Sequence, residues 1–209
     1  HVGETMNRIE TQQRPPILDR VESFGFRVFD QPNYDLNIIG VRRMQNRQDN
    51  EFDDSIHIVY RMLDFWVEEW APATTDPGSY WLTKPDYKPC AIYYHPQQAR
   101  SAYEIGYHKG RADHECLKQV RTVKYWRDGD KDHHASYTGH ETIYENIIGL
   151  NIHRSSKHGS EFVDAWSAGC QVYKYPRDLE RLITLCKLQI EHHPTWSHQF
   201  TYTLIPEET

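Results

Sequence analysis

This chain of 209 residues has no run of five or six Lys/Arg, no Cys-x-x-Cys pair, no His-Glu-x-x-His and no long uncharged apolar stretch. Each absence removes a class of function. With a net charge of −6 and no basic cluster, the chain lacks the electrostatic footprint that phosphate-backbone binding needs, so nucleic acid is not an expected partner. A membrane span takes about 18 or more consecutive apolar residues, and none is present. The first nine residues lack the apolar centre of a signal peptide, although the missing initiator Met leaves room for an upstream segment. Cys90, Cys116, Cys170 and Cys186 show neither zinc-ribbon nor redox spacing, and a chain this long does not need disulfides to fold. There is no internal repeat, low-complexity tract or linker. One domain over 1–209 is expected, with 1–70 an N-terminal extension integrated with the sheet and the chemistry in 71–209.

What is present reads as a β-rich chain with two helices. Ile17, Val21 and Phe24 recur at helical spacing before Gly25, which predicts a short N-terminal helix. Residues 35–43 and 55–63 are β-branched and partly alternating, two strands around a polar loop. Pro77-Gly78 predicts a turn, with a strand resuming over 80–82. Residues 90–95, 101–108 and 117–126 read as three more strands, followed by a loop over 127–139. Pro176 suits a first helical turn, and Leu179, Leu182, Ile183, Cys186 and Ile190 share a face before Pro194, a helix that should cover a sheet. Residues 199–206 read as a final strand. Short strands without intervening helices predict an α+β fold, mainly antiparallel β, as a sheet or sandwich.

The chemistry concentrates in "NIHRSSKHGSEFVDAWSAGCQVY", residues 151–173. One strand ends at His153 and another begins at Cys170, so the fold can set an imidazole beside a thiol. A cysteine attacks as thiolate, and an imidazole that takes its proton is the usual partner in acyl transfer. The turn Ser167, Ala168, Gly169, Cys170 puts small residues where backbone N–H groups can meet a developing oxyanion. No Asp or Asn stands ready to orient the imidazole, but a backbone carbonyl near Arg154 can do so.

These residues resemble the L,D-transpeptidase (YkuD-type) catalytic domain, whose signature is a His followed, after a loop, by Ser/Thr-His-Gly-Cys. The matching residues are His153, Ser167, Gly169 and Cys170; "TTDPGSYWL" is similar to the family's Thr-Pro-x-Gly segment. The resemblance implies a β-sandwich carrying a cysteine that is acylated by a peptidoglycan stem peptide, the acyl group passing to an amine or to water, with no metal or cofactor. Cys170 would be nucleophile, His153 base and later acid, and the backbone of Ser167, Ala168 and Gly169 the oxyanion site. It implies action at the bacterial cell wall or periplasm, in a virion-associated or secreted protein. The family's His before Gly is Ala168 here, and Gln171 replaces the usual Arg or Asn. Substrate contacts must therefore differ, with Arg154 and Gln171 the candidates. Ala168 also supports a competing reading, a catalytically inactive wall-binding or virion assembly module.

Two metal readings compete. His108, His114 and Cys116, or His153, His158 and Cys170, can be drawn as zinc sets for a hydrolase. "DGDKDHHASYTG" opens like a calcium loop at Asp128, Asp130 and Asp132 but has His133 at the sixth position and Gly139 at the twelfth, so it reads as a solvated hairpin tip. Trp66, Trp70, Trp81 and the aromatics of 92–95 are candidates for a binding cleft or for core.

Overall fold

The computed structural model describes residues 6–92, 96–195 and 198–209. Its elements run β1 (Asn7–Thr11), α1 (Pro16–Ser23), β2 (Asn37–Arg42), β3 (Asp54–Arg61), β4 (Trp66–Thr74), α2 (Ser79–Thr83), β5 (Cys90–Ile92), β6 (Gln97–Tyr107), β7 (Glu115–Gln119), β8 (Val123–Arg127), β9 (Tyr144–Asn146), β10 (Ile152–Arg154), β11 (Gln171–Tyr173), α3 (Pro176–His192) and β12 (Phe200–Pro206). Strands pair in the order β4-β11-β10-β7-β6-β12-β2-β3, and β3 pairs back onto β4. The sheet therefore closes into an eight-stranded, barrel-like ring rather than the expected sandwich. β1 is a ninth strand, lying on the same edge of β4 as β11 but further along it.

Alternation decides what lies inside. Ile38, Ile56, Ile58, Tyr60, Tyr202 and Leu204 point into the ring, where they join Leu179, Leu182, Ile183, Leu185 and Cys186 of α3 in one core. α3 packs against β7, β10 and β11. The neighbouring residues Ile39, Val59 and Ile205 point outward and are covered by Ile17, Leu18 and Val21 of α1. An eight-stranded ring has an interior just wide enough to be filled by side chains. Gly40 shows how tight the filling is: a Cβ there would lie 1.8 Å from the Tyr202 hydroxyl oxygen.

Part of the interior is polar. Arg42 donates to Thr75 Oγ1 and Thr75 O, both at 2.9 Å, and Asp54 Oδ2 accepts from Thr75 N and Oγ1 at 2.8 and 2.7 Å. Tyr202 OH donates to Gln171 Oε1 at 2.6 Å. Buried donors and acceptors cost little when paired in this way.

Several expectations change. Most pairings are antiparallel, but β10–β11 and β12–β2 are parallel. Residues 80–82 lie in the short helix α2, not a strand. The strand expected over 117–126 breaks after Gln119, and β8 leaves the ring to pair with β5 and β9 in a separate three-stranded sheet. The strand expected over 90–95 is seen as β5; residues 93–95 lie outside the described residues. Residues 37–70 are ring wall, since β2, β3 and most of β4 come from them. Among the described residues, no helix is long and apolar enough to cross a membrane.

Candidate active site

The parallel pair β10–β11 sets Ile152 level with Gln171 and His153 level with Val172. Cys170 is therefore level with Asn151, and residues two apart on a strand share a face, so Cys170 and His153 project to the same side. Ile152 and Tyr173 take the opposite side, in the ring's core. The thiol–imidazole pair thus sits on the outer face of the ring. Both residues line one cleft of about 580 Å³.

Small residues and their backbone groups hold the turn before Cys170. Ser167 O accepts from Gly78 N at 2.9 Å, and Ala168 O accepts from Cys90 N at 2.9 Å. Gly78 is required on the far side, because a Cβ there would lie 2.1 Å from Asp164 O. Ser167 is buried; its Oγ donates to Cys170 O at 2.7 Å and accepts from Gly169 N at 3.1 Å. It shapes the turn, and the Gly169 N–H is committed to it. Gly169 has φ +147°, and a Cβ there would stand 2.9 Å from Cys90 Cβ, Cys90 O and Leu150 Cδ2. Gly169→Ala must displace β5 or the turn itself; the expected result is a loss of about 2–4 kcal/mol in chemical denaturation, by overpacking and backbone strain together.

The imidazole is fixed by its own strand. His153 is buried, and its Nδ1 lies 2.7 Å from Arg154 O. A carbonyl only accepts, so Nδ1 carries the proton and Nε2 holds the lone pair, the tautomer a general base needs. His108 stacks on this ring at 4.0 Å between centroids and 28° between planes, and His114 meets it edge-on at 5.4 Å. Asn151 Nδ2 donates to His108 Nδ1 at 3.2 Å, which fixes the tautomer of the second ring.

The electrostatics keep both partners neutral at rest. Burial, then the neighbouring His108, holds His153 well below the usual histidine range, and the bond to Arg154 O only partly opposes this. Burial pushes the Cys170 thiol up to about 11, while the Asn151 backbone N–H and Lys109 pull it down. Cys170 Sγ donates to Gly149 O at 3.3 Å. Both groups are neutral in the same cleft, and the thiol's hydrogen bond goes to Gly149 O rather than to His153, so no ion pair is preformed.

His108 and His114 are also held down to about 4, each mainly by burial. An unfolded chain protonates all three rings near pH 6.5 while the folded chain does not, so the unfolded state binds more protons and stability falls as pH falls. Three protons set a ceiling of about 4 kcal/mol per pH unit for the rings, but Asp54 and Asp128, pushed up to about 7, and Asp178, pushed up to about 6, take up protons in the folded state over the same range and oppose it. The histidine share is therefore read by difference: between pH 7 and pH 5, paired thermal melts should show His108→Gln faring better than the wild type by about 1 kcal/mol.

The walls of the cleft add aromatic and cationic groups. Trp81 donates from Nε1 to Ala165 O at 2.9 Å and packs at a tilt against Tyr87, with ring centroids 4.8 Å apart, and Trp166 is 40% exposed beside them. Lys109, Lys118 and Arg127 line the cleft, and no Asp or Glu does among the described residues. A positive cleft in a chain of net charge −6 is a local choice of sign.

Two expected substrate contacts lie elsewhere. Gln171 is fully buried inside the ring, bonded to Tyr202, because its place on β11 turns it away from Cys170. Arg154 lines a neighbouring depression with Asp113 and Glu115, its guanidinium donating to Ser155 O at 3.0 Å. Trp66 packs under α1, and Trp70 stacks on His57. His158 is exposed on another depression, away from Cys170. Among the described residues, the one set of three His, Cys, Asp or Glu with donor atoms within 4.8 Å of one another is Asp128, Asp130 and Asp132, so neither zinc set converges. The sequence named His108 and His114 only as metal ligands; their place around His153 comes from strand pairing and leaves no local pattern. Comparison with known families, with curated proteins and with solved structures finds no match to this chain.

Proposed function

We propose that this protein is a cysteine acyltransferase or peptidase of the L,D-transpeptidase type, acting on peptide stems of bacterial peptidoglycan through a thioester at Cys170. One observation carries the reading: His153 is held by Arg154 O in the tautomer that leaves Nε2 free, in the same cleft and on the same face as Cys170. As a substrate carbonyl approaches, His153 takes the thiol proton while sulfur bonds to carbon. Collapse of the tetrahedral intermediate then expels the leaving amine, which receives that proton from the imidazolium. An acceptor amine or water, deprotonated by the same imidazole, releases the acyl group. The oxyanion falls to the N–H groups of Ala168 or Cys170, since that of Gly169 is committed to Ser167.

The substrate class rests on the sequence resemblance and on the cleft's charge. Stem peptides carry carboxylates, which Lys109, Lys118 and Arg127 complement, and Trp81 and Trp166 offer flat apolar area for the sugar or peptide around the scissile bond. The test is chromatography of muropeptides with tetrapeptide stems after incubation with the protein. Shortened stems identify hydrolysis, and new cross-links or exchange with an added amino acid identify transfer. Unchanged muropeptides under every acceptor condition would refute the proposal and leave the inactive wall-binding module.

A further inference from the structure

Asp128, Asp130 and Asp132 bring one carboxylate oxygen each to within 4.8 Å of one another, at the mouth of the loop that follows β8. Three acids in a surface loop are commonplace, but Asp128 is only 3% exposed, and its Oδ2 is buried without a hydrogen-bond partner. A buried carboxylate oxygen left unpaired carries its full desolvation cost, so either a bound cation or a proton shared with the Asp130 carboxylate must meet it. Burial, with Asp130 and Asp132 adding to it, pushes Asp128 up to about 7, the response of a carboxylate short of counter-charge. Lys131 offsets this in part, but its Nζ donates to Tyr87 O, and Arg127 donates to Lys88 O at 2.9 Å. Asp130 Oδ1 accepts from Asp132 N at 3.2 Å and Asp132 Oδ1 from His134 N at 2.8 Å, which leaves each of these side chains a second oxygen.

We infer that Asp128, Asp130 and Asp132 form a calcium site that braces the platform under the Cys170 turn. The donors are all oxygen, which selects a hard cation, and they lie within 4.8 Å of one another, close enough to share one ion. Mg²⁺ needs bonds of about 2.0–2.1 Å in near-ideal octahedral order, which an irregular loop does not supply. His133 and Gly139 depart from the twelve-residue calcium loop, so backbone carbonyls and water complete the shell and affinity falls in the weak range of about 10⁻⁴–10⁻³ M. The link to the cleft is short. Asp128 N donates to Pro89 O at 2.9 Å, and the next residue, Cys90, donates to Ala168 O at 2.9 Å. An ion at Asp128 thus holds β5 and β8 together behind the turn. This inference stands apart from any catalytic role for Cys170.

The test is thermal unfolding of the full chain after chelator treatment, at constant ionic strength, with Ca²⁺, with Mg²⁺ and with neither. Ca²⁺ at roughly 10 mM should raise Tm by about 3–10 °C and Mg²⁺ by much less. Terbium should luminesce through the adjacent Trp126 and be displaced by Ca²⁺. Asp130→Asn/Asp132→Asn changes only exposed side chains and should fold, with both responses lost. A wild-type Tm unmoved by Ca²⁺, or an equal rise in the double variant, would overturn the site. So would a lone Asp130→Asn that stabilises the metal-free protein while Ca²⁺ does nothing, since Asp128 and Asp130 would then be sharing a proton instead.

Discussion

Cys170→Ala is expected to abolish turnover of stem peptides, by about 10⁴-fold or more, because it removes the thiol that forms the acyl intermediate and no other partly exposed thiol lines the cleft among the described residues. Cys90 also lines the cleft, but it is buried, and burial raises its thiol above the ordinary range. Stability should change little, since the Cys170 side chain only flanks the small cluster of Phe52, Val163 and Val172. Substrate affinity should be kept within a few fold, because Lys109, Lys118, Arg127, Trp81 and Trp166 remain. Equilibrium binding of a stem peptide beside a turnover assay checks both halves. Turnover retained in Cys170→Ala would remove the thioester from the mechanism.

His153→Ala should cost about 10²–10⁴-fold at neutral pH, the usual worth of a positioned general base. The size follows from the thiol: with Cys170 at about 11, roughly one sulfur in 10⁴ is thiolate at pH 7 without help. The variant therefore has a pH signature. Hydroxide replaces the missing base, so its rate should climb about tenfold per pH unit from pH 7 towards pH 10, while the wild-type rate rises far less steeply. Initial rates across that range, with the fold checked at each pH, make the comparison. Parallel profiles for the two proteins would show that the imidazole does not carry the proton.

The parts of the fold legible in the sequence are those where one face is buried over several residues. α1 and α3 carry apolar residues at helical spacing, and β2, β3 and β12 alternate between the ring's core and the α1 contact, so each declares itself locally. β1 is exposed along nearly its whole length and has no apolar pattern to read. The break between β7 and β8 is hidden for another reason: alternation continues through it, while the backbone, still bonded to β6 from Val120 N to Ala102 O, takes new partners from Val123 onward. Closure of the ring depends on β3 meeting β4 on one edge and β11 on the other, which no local pattern encodes.

The site divides in the same way. His153, Cys170 and the small residues between Ser167 and Cys170 were legible because they lie on two short strands joined by one loop, and the carbonyl that orients His153 belongs to the next residue. The inward face of Gln171 is not legible in the sequence, because one step along a strand reverses the face and only the parity of β11 places it inside. His108, Lys109, Lys118 and Arg127 arrive from three other segments, and only the strand order brings them to the cleft. In the acidic loop, spacing shows which carboxylates are close in sequence but not that Asp128 is buried.

The most direct measurement is the intact mass of the wild-type protein, quenched in acid within seconds of mixing with a tetrapeptide-stem muropeptide. The account predicts an added acyl fragment, located at Cys170 by peptide mapping, removed by hydroxylamine and absent from Cys170→Ala. Stem peptides consumed while Cys170 stays unmodified and freely alkylated, or an adduct on another residue, would contradict it.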